Sequence, residues 1–270
     1  MSETPFTVAE TDGVAHLQFA RPQAANSMTM AFWREFPEAV RQLDRSGKTR
    51  ALVISGQGKH FCSGMDLSVF QSPELQAGNA AADREAFVET ILELQRALSV
   101  VEEARFPVIA AVQGACIGAG LDLAAACDLR YAQADAYFRI EEINIGMMAD
   151  VGSLQRLPHK LPDAILREMA FTGATLTAAR AKECGFVNAI AEDAIAQALA
   201  TAGEIAQRAP LAVTGSKRAI NFARDHSVAD ALEQAALLQG NIWQTRDIVT
   251  AIEARKTKSP AKFADLKPRR

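Results

Sequence analysis

An α/β fold built on a parallel sheet, followed by a helical C-terminal region, is what the sequence predicts. Residues 51–55 and 107–112 are short apolar runs, with the length and composition of strands covered on both faces. Segments with helical periodicity lie between and around them, and such alternation implies parallel neighbours joined by right-handed crossovers. Beyond Asp150 the pattern turns almost entirely helical.

The elements follow in order. Residues 6–10 and 14–19 alternate apolar and polar side chains around Asp12-Gly13, the signature of a β-hairpin, and Arg21-Pro22 ends its second strand. Thr29 fits a helix N-cap, and Phe32, Phe36, Val40 and Leu43 then recur at steps of four, four and three on one face. After the first apolar strand come Gly56, Gly58 and Lys59, then Phe61-Cys62-Ser63-Gly64-Met65-Asp66. Residues 72–83 are rich in Ser, Pro, Gly, Asn and Ala, which is loop composition. The next helix aligns Phe87, Ile91, Leu94, Leu98 and Val101 and stops before Pro107. The second apolar strand feeds a small-residue turn, Gly118-Ala119-Gly120, that opens a further helix. Residues 154–161, 162–171, 176–184, 193–208, 211–224, 228–245 and 247–256 read as helices, and only 186–191 as a strand. The chain is therefore expected to divide into an α/β core over residues 1–192 and a helical region over 193–270, ending in a basic tail.

Composition removes several classes of function. With 270 residues and 49% hydrophobic content the chain can bury a sizeable core. A net charge of −3 argues against nucleic-acid binding, which needs a basic face. Cys62, Cys116, Cys127 and Cys184 form no C-x-x-C pair and sit in apolar or glycine-rich settings, so buried thiols are expected rather than disulfides or zinc. The histidines (His16, His60, His159, His226) have no metal-ligand spacing, and no G-x-S-x-G elbow is present. No stretch is apolar enough to span a bilayer, and neither a signal peptide nor a peroxisomal tripeptide is present, so a cytoplasmic protein without membrane partners is expected.

The chemistry concentrates between Gly114 and Asp150. A small-residue turn at a helix N-terminus presents backbone N–H groups to negative charge. The order G-x-x-x-G-x-G is not the dinucleotide fingerprint, and Asp122 one turn into the helix would repel a phosphate. An oxyanion donor site is favoured over a plain tight turn. Asp122 lies among Leu121, Leu123 and Ala124–Ala126, which leaves it little polar surface, although the helix dipole alone could favour an acid there. Asp150 could be an N-cap, and Glu142 beside Glu141 could be a solvated charge. Together, three carboxylates beside an oxyanion turn suggest proton transfer next to a carbonyl.

At these residues the chain resembles the crotonase (enoyl-CoA hydratase/isomerase) superfamily over essentially its full length. Arg21-Pro22 with Asn26-Ser27-Met28 is similar to the family's early coenzyme A segment. Ser63-Gly64-Met65-Asp66-Leu67 resembles its first oxyanion loop and Gly118-Ala119-Gly120 its second. Within the superfamily the likeness is to the Δ3,5-Δ2,4-dienoyl-CoA isomerase branch. That branch carries acids spaced as Asp122, Glu142 and Asp150 are here, 20 and eight residues apart. The last of them stands in the string A-D-V-G-x-L-Q-R-L-P, present as residues 149–158, and Arg224-Asp225-His226-Ser227-Val228 also matches.

The resemblance implies a crotonase (ClpP-like) spiral of ββα units with a helical C-terminal oligomerisation region, assembled as a homotrimer or homohexamer. It implies an acyl-CoA thioester substrate, no cofactor other than the coenzyme A that the substrate carries, and no metal. The backbone N–H groups of Met65 and Ala119 would form the oxyanion hole, with Arg21, Asn26, Ser63, Gly64, Asp66 and Gly118 contributing to substrate binding. Lys256, Lys258 and Lys262 are candidates for coenzyme A phosphates beside the reading of a solvated tail. The family has glycine where this chain has Ala119, which costs nothing at negative φ and about 1 kcal/mol at positive φ. Asp122, Glu142 and Asp150 would be catalytic, moving a proton from C2 to C6 of a 3,5-dienoyl-CoA in fatty acid β-oxidation. Glu142 is assigned to C2 and Asp150 to C6, with the reverse left open. The alternatives are an enoyl-CoA hydratase using Asp122 and Glu142, and a non-catalytic assembly or RNA-associated protein on the same fold.

Overall fold

The computed structural model describes residues 4–76 and 78–269; residues 1–3 of the N-terminal segment, Ala77 within the 72–83 loop and Arg270 of the tail lie outside the described residues. β1 (Phe6–Thr11) and β2 (Val14–Phe19) pair antiparallel as the expected hairpin. Asp12 and Gly13 both take positive φ, 51° and 79°, which matches the strand twist in a two-residue turn. Thr29 caps α1 (Met30–Ser46) through the N–H of Phe32, and the helix buries Phe32, Phe36 and Val40. β3 (Ala51–Gly56) is buried at every residue. α2 (Ala81–Glu103) buries Leu94, Leu98 and Val101, while Phe87 and Ile91 of the same stripe stay partly exposed.

Next come β4 (Val108–Val112), β5 (Ala115–Ile117), α3 (Ala119–Ala126), β6 (Leu129–Ala132) and β7 (Tyr137–Arg139). The main sheet runs β1-β2-β3-β4-β6 and is parallel from β2 onward, ending on β9 (Ala189–Ile190). A second, three-stranded sheet joins β5 and β7 in parallel and adds β8 (Leu176–Thr177) antiparallel to β7. Cys62 extends it by a parallel bridge to Cys116 of β5. So after β3, β4 and β6 the chain makes a second short strand in the small sheet before moving on. Each turn of the chain lies beside the last, a spiral of ββα units. β5, β6 and β7 have no counterpart in the sequence reading because three or four residues are too few for a periodicity.

Some expected helices differ. Residues 154–161 form α4 (Ser153–Arg156) followed by a 3-10 turn over Leu157–His159, because Pro158 has no N–H for the helical ladder. Residues 176–184 begin as β8; Thr177 then caps α6 (Ala178–Glu183) by accepting the N–H of Arg180. α5 (Asp163–Thr172) lies near its expected span. Residues 228–245 break into α9 (Val228–Ile242) before α10 (Thr245–Thr257) begins.

Packing does not divide at residue 192. α7 (Ala194–Ala206) lays Ala194, Ala198 and Ala202 against Ala51, Val53, Ile109 and Ala111 of the main sheet, and so supplies the cover for its second face. The opposite face carries the large core around Phe19, Phe32, Phe36, Phe61 and Leu98. α8 (Pro210–Asp225) is anchored by Lys217, which donates to the carbonyls of Val101 and Phe106 and to Asp128 Oδ2 at 2.7–2.9 Å. Among the described residues α9 and α10 bury no side chain. The tail then returns to the core: Leu266 N–H donates to Gly47 O, and Arg50 bonds the Phe263 carbonyl and Asp265. Among the described residues no helix is long and apolar enough to cross a membrane.

Candidate active site

Two strand–helix seams meet at the edge of the small sheet, and each contributes one main-chain donor. At the first, Met28 N–H donates to Gly64 O (2.8 Å) and Asp66 N–H to Met28 O (3.0 Å). Residues 64 and 66 therefore face Met28, and the N–H of Met65 between them faces the other way. At the second, Gly118 N–H is taken by Arg139 O, and Gly118 O accepts from Leu121 and Asp122. Ala119 is the first residue of α3, and among the described residues no backbone acceptor takes its N–H. The positive φ falls on Gly118 (53°) and Gly64 (92°), and Ala119 is not among the positive-φ residues. The alanine therefore carries no left-handed strain.

The two seams are held together closely. Cys62 N–H donates to Ala115 O (3.0 Å) and Ile117 N–H to Cys62 O (3.1 Å). A Cβ on Gly120 would stand 2.8 Å from Cys62 O and 2.9 Å from Cys62 Cβ, so only glycine lets α3 approach this far. Cys62, Cys116 and Cys127 are buried, and burial pushes the Cys62 and Cys127 thiols up to about 12. They stay protonated and serve as packing rather than as nucleophiles.

Between the seams opens a cavity of about 480 Å³ lined by Met65, Ala119, Glu142 and Asp150, with Leu67, Phe70, Ile117, Ile145, Met147 and Val151 as its apolar walls. Glu142 starts a 3-10 turn (Glu142–Ile145) and stands next to the second seam; a Cβ on Gly118 would lie 3.4 Å from its Oε1. Its Oε2 is buried without a hydrogen-bond partner. Burial first, then the charges of Asp122 and Asp150, push its carboxyl up to about 7. Burial likewise raises Asp150, which is half-buried.

Asp122 stands elsewhere. It is 0% exposed and does not reach the cavity wall. Its Oδ1 accepts the N–H of Ser153 and its Oδ2 has no partner. Burial pushes it up to about 6, against the pull of the Ser153 hydrogen bonds and the Arg156 charge. The Ser153 contact also resolves the N-cap alternative for Asp150. The side chain that receives the first N–H of α4 is Asp122, and Asp150 makes no cap.

Of the remaining sequence-predicted residues, Ser63, Gly64, Asp66 and Gly118 line the cavity, whereas Arg21 and Asn26 do not. Asn26 spends its amide on Gln57 O and His60 O and its Oδ1 on Arg21 N–H. Arg21 donates to Ser27 O, Ser27 Oγ and Asp66 Oδ2. Both brace the wall from behind. Hydrogen bonds from Ser68, Ser27 and Arg21 hold the Asp66 carboxyl well below the usual carboxylate range. Lys256, Lys258 and Lys262 do not line the cavity. The sequence reading missed Phe70, Ile145 and Met147. For two of them a signal was available: Ile143, Ile145, Met147 and Met148 crowd the six positions after Glu142.

The sequence profile of the enoyl-CoA hydratase/isomerase family matches residues 9–266. The chain belongs to this family. Among similar proteins are the mitochondrial Δ3,5-Δ2,4-dienoyl-CoA isomerase of Homo sapiens, 40% identical over 89% of this chain and 75% of that protein, and the peroxisomal one of Arabidopsis thaliana, 36% identical over 94% and 93%. A probable enoyl-CoA hydratase of Mycobacterium leprae is 35% identical over 95% and 98%. The crystal structure of an enoyl-CoA hydratase from Polaromonas sp. JS666 superposes with a TM-score of 0.86 at 27% identity, covering 96% of this chain and 99% of that one. The fold is therefore the crotonase fold expected from the motifs, with a mixed α/β body and a helical C-terminal region.

Proposed function

We propose that this member of the family is a dienoyl-CoA isomerase, converting a 3,5-dienoyl-CoA to the 2,4-dienoyl-CoA in fatty acid β-oxidation. The observation that carries the reading is the shared cavity. Met65 and Ala119 stand on its wall with N–H groups that no backbone acceptor takes among the described residues, and Glu142 and Asp150 stand on the same wall. A thioester carbonyl between the two donors is polarised, which acidifies C2 and spreads the resulting charge along the diene to C6. Glu142, beside the second donor, takes the C2 proton, and Asp150, further along the wall, delivers one at C6. Asp122 does not touch substrate. It holds the α4 end of the Asp150 loop through Ser153 and sets the field in which Glu142 titrates. Coenzyme A enters as part of the substrate.

The hydratase reading needs Asp122 and Glu142 to hold one water between them. The burial of Asp122 behind the wall counts against it, as does an acid at Asp150 for which hydration has no use. α9 and α10, with no buried side chain, support self-association into trimers or hexamers. Incubation with 3,5-dienoyl-CoA should produce the absorbance of the conjugated 2,4-diene, whereas loss of the enoyl band from 2-enoyl-CoA with no diene formed from the first substrate would overturn the proposal in favour of a hydratase.

A further inference from the structure

A second cavity, of about 490 Å³, lies behind the first, and Asp150 and Val151 belong to the walls of both. Its character is the opposite. Where the front cavity is apolar, the rear one is lined by Glu102, Arg156, Arg224 and Asp225, with Gln155 and His159 exposed to solvent. Arg156 and Arg224 come from the two sequence motifs that the catalytic reading left without a task, A-D-V-G-x-L-Q-R-L-P and Arg224-Asp225-His226-Ser227-Val228. The fold brings them together on one carboxylate: Glu102 accepts from Arg156 at 2.8 Å and from Arg224 at 2.6 Å. Arg156 also reaches Ser99 Oγ and the Val151 carbonyl, and so props the loop that carries Asp150.

The reaction gives such a space a use while the front cavity is filled. In each turnover Glu142 changes from carboxylate to acid as it takes the C2 proton, and Asp150 changes from acid to carboxylate as it gives one to C6. Before the next turnover one proton must reach Asp150 and one must leave Glu142, with no net change of charge. While an acyl chain fills the apolar front cavity, that side offers no water. The Asp150 carboxyl takes its own backbone N–H and, among the described residues, no other protein donor, and its loop is held by Gln95 on the Asp150 main-chain oxygen (2.7 Å). At about 30 Å³ per water, the rear cavity has room for a chain of several, with polar partners on its walls. Arg156 and Arg224 hold Glu102 below its usual value against the opposing effect of burial, so Glu102 stays charged, orienting water rather than carrying the proton.

We propose that the rear cavity is the passage through which Asp150 exchanges its proton with solvent while the acyl chain occupies the front. The inference rests on the proton-relay reading above and deepens it. It is tested by placing bulk across the passage without touching the acids, with Gln155→Phe/His159→Phe, and with Gln155→Trp alone should the double variant fold poorly.

The direct readout does not need turnover. With a saturated acyl-CoA filling the front cavity, the protein is mixed rapidly into D2O, and the carboxyl infrared band that Asp150→Asn abolishes is followed at a pH where it is present. The wild-type band should shift within the mixing time and the blocked variant's about tenfold or more slowly. Equal exchange rates in blocked and wild-type protein, or slow exchange in the liganded wild type, would overturn the passage. If the wild type isomerised no dienoyl-CoA, the functional reading would fail, and the exchange measurement would still decide the passage on its own.

Discussion

Asp122→Asn separates what the fold pays for this acid from what the chemistry gains by it. The carboxyl is fully buried, one of its oxygens has no partner, and its value is raised from 3.8 to about 6. A carboxyl raised in the folded state binds more protons folded than unfolded between those two values. Stability therefore falls as pH rises through that window, and above about 6 the whole penalty is present. At about 1.4 kcal/mol for each tenfold change in proton affinity, the penalty is about 3 kcal/mol. Asparagine keeps the shape and the acceptor for Ser153 N–H but cannot ionise, at the cost of an amide N–H₂ left where Oδ2 was, about 1–2 kcal/mol. The expected outcome is a variant about 1–2 kcal/mol more stable than wild type near pH 8 and less stable near pH 4, with isomerase activity reduced. Urea unfolding at fixed protein concentration at the two pH values reads the difference, since self-association would otherwise move the midpoint. A variant with the same stability difference from wild type at both pH values would refute the reasoning, because the charge would then carry no burial penalty.

Other expectations rest on the same geometry. The acid limb of kcat/KM should lie near pH 7, where Glu142 ionises, and should move to lower pH in Asp122→Asn because the like charge that raises Glu142 is gone; an unmoved limb in the pH–rate profile would break that coupling. Glu142→Gln and Asp150→Asn should each lower isomerisation by about 10²- to 10⁴-fold with substrate binding retained, measured as diene formation and as acyl-CoA titration. Ala119→Pro removes one oxyanion donor at the first helical position, where proline is tolerated, so kcat should fall about 10²- to 10³-fold while circular dichroism and melting stay close to wild type. Lys217→Met leaves Asp128 without its buried cation and should cost about 3 kcal/mol or more in denaturant unfolding, with little effect on KM.

Much of the fold was legible because the relevant signals are local. The Asp12-Gly13 turn, the Thr29 cap and the fully apolar β3 and β4 each need only a few neighbouring residues to declare themselves. The small sheet was not legible, since β5, β7 and the Cys62 bridge gain their meaning from partners up to 54 residues apart in register pairs such as Cys116 with Phe138 and Cys62 with Cys116. α7 looked like the start of a separate helical region because its alanine stripe gives no hint of the sheet face it covers. The acids show the same divide. Their spacing was readable, but no spacing tells that Asp122 turns away from the cavity into Ser153 while Glu142 and Asp150 turn toward it.

That divide has a physical reading. A base near an enolate must be poised between its charged and neutral forms, and burial is what moves a carboxyl there. After burial, the next cause of the rise at Glu142 is the charge of Asp122, an acid that never meets solvent and so cannot be screened by it. Asp122 in turn is kept from full neutralisation by Ser153 and Arg156, whose guanidinium is held between Glu102 and Ser99. The hidden acid thus converts the ion network at the rear into a field at the front. On the proposed reading, this is why an acid behind the cavity wall stands in the same register as two acids on it.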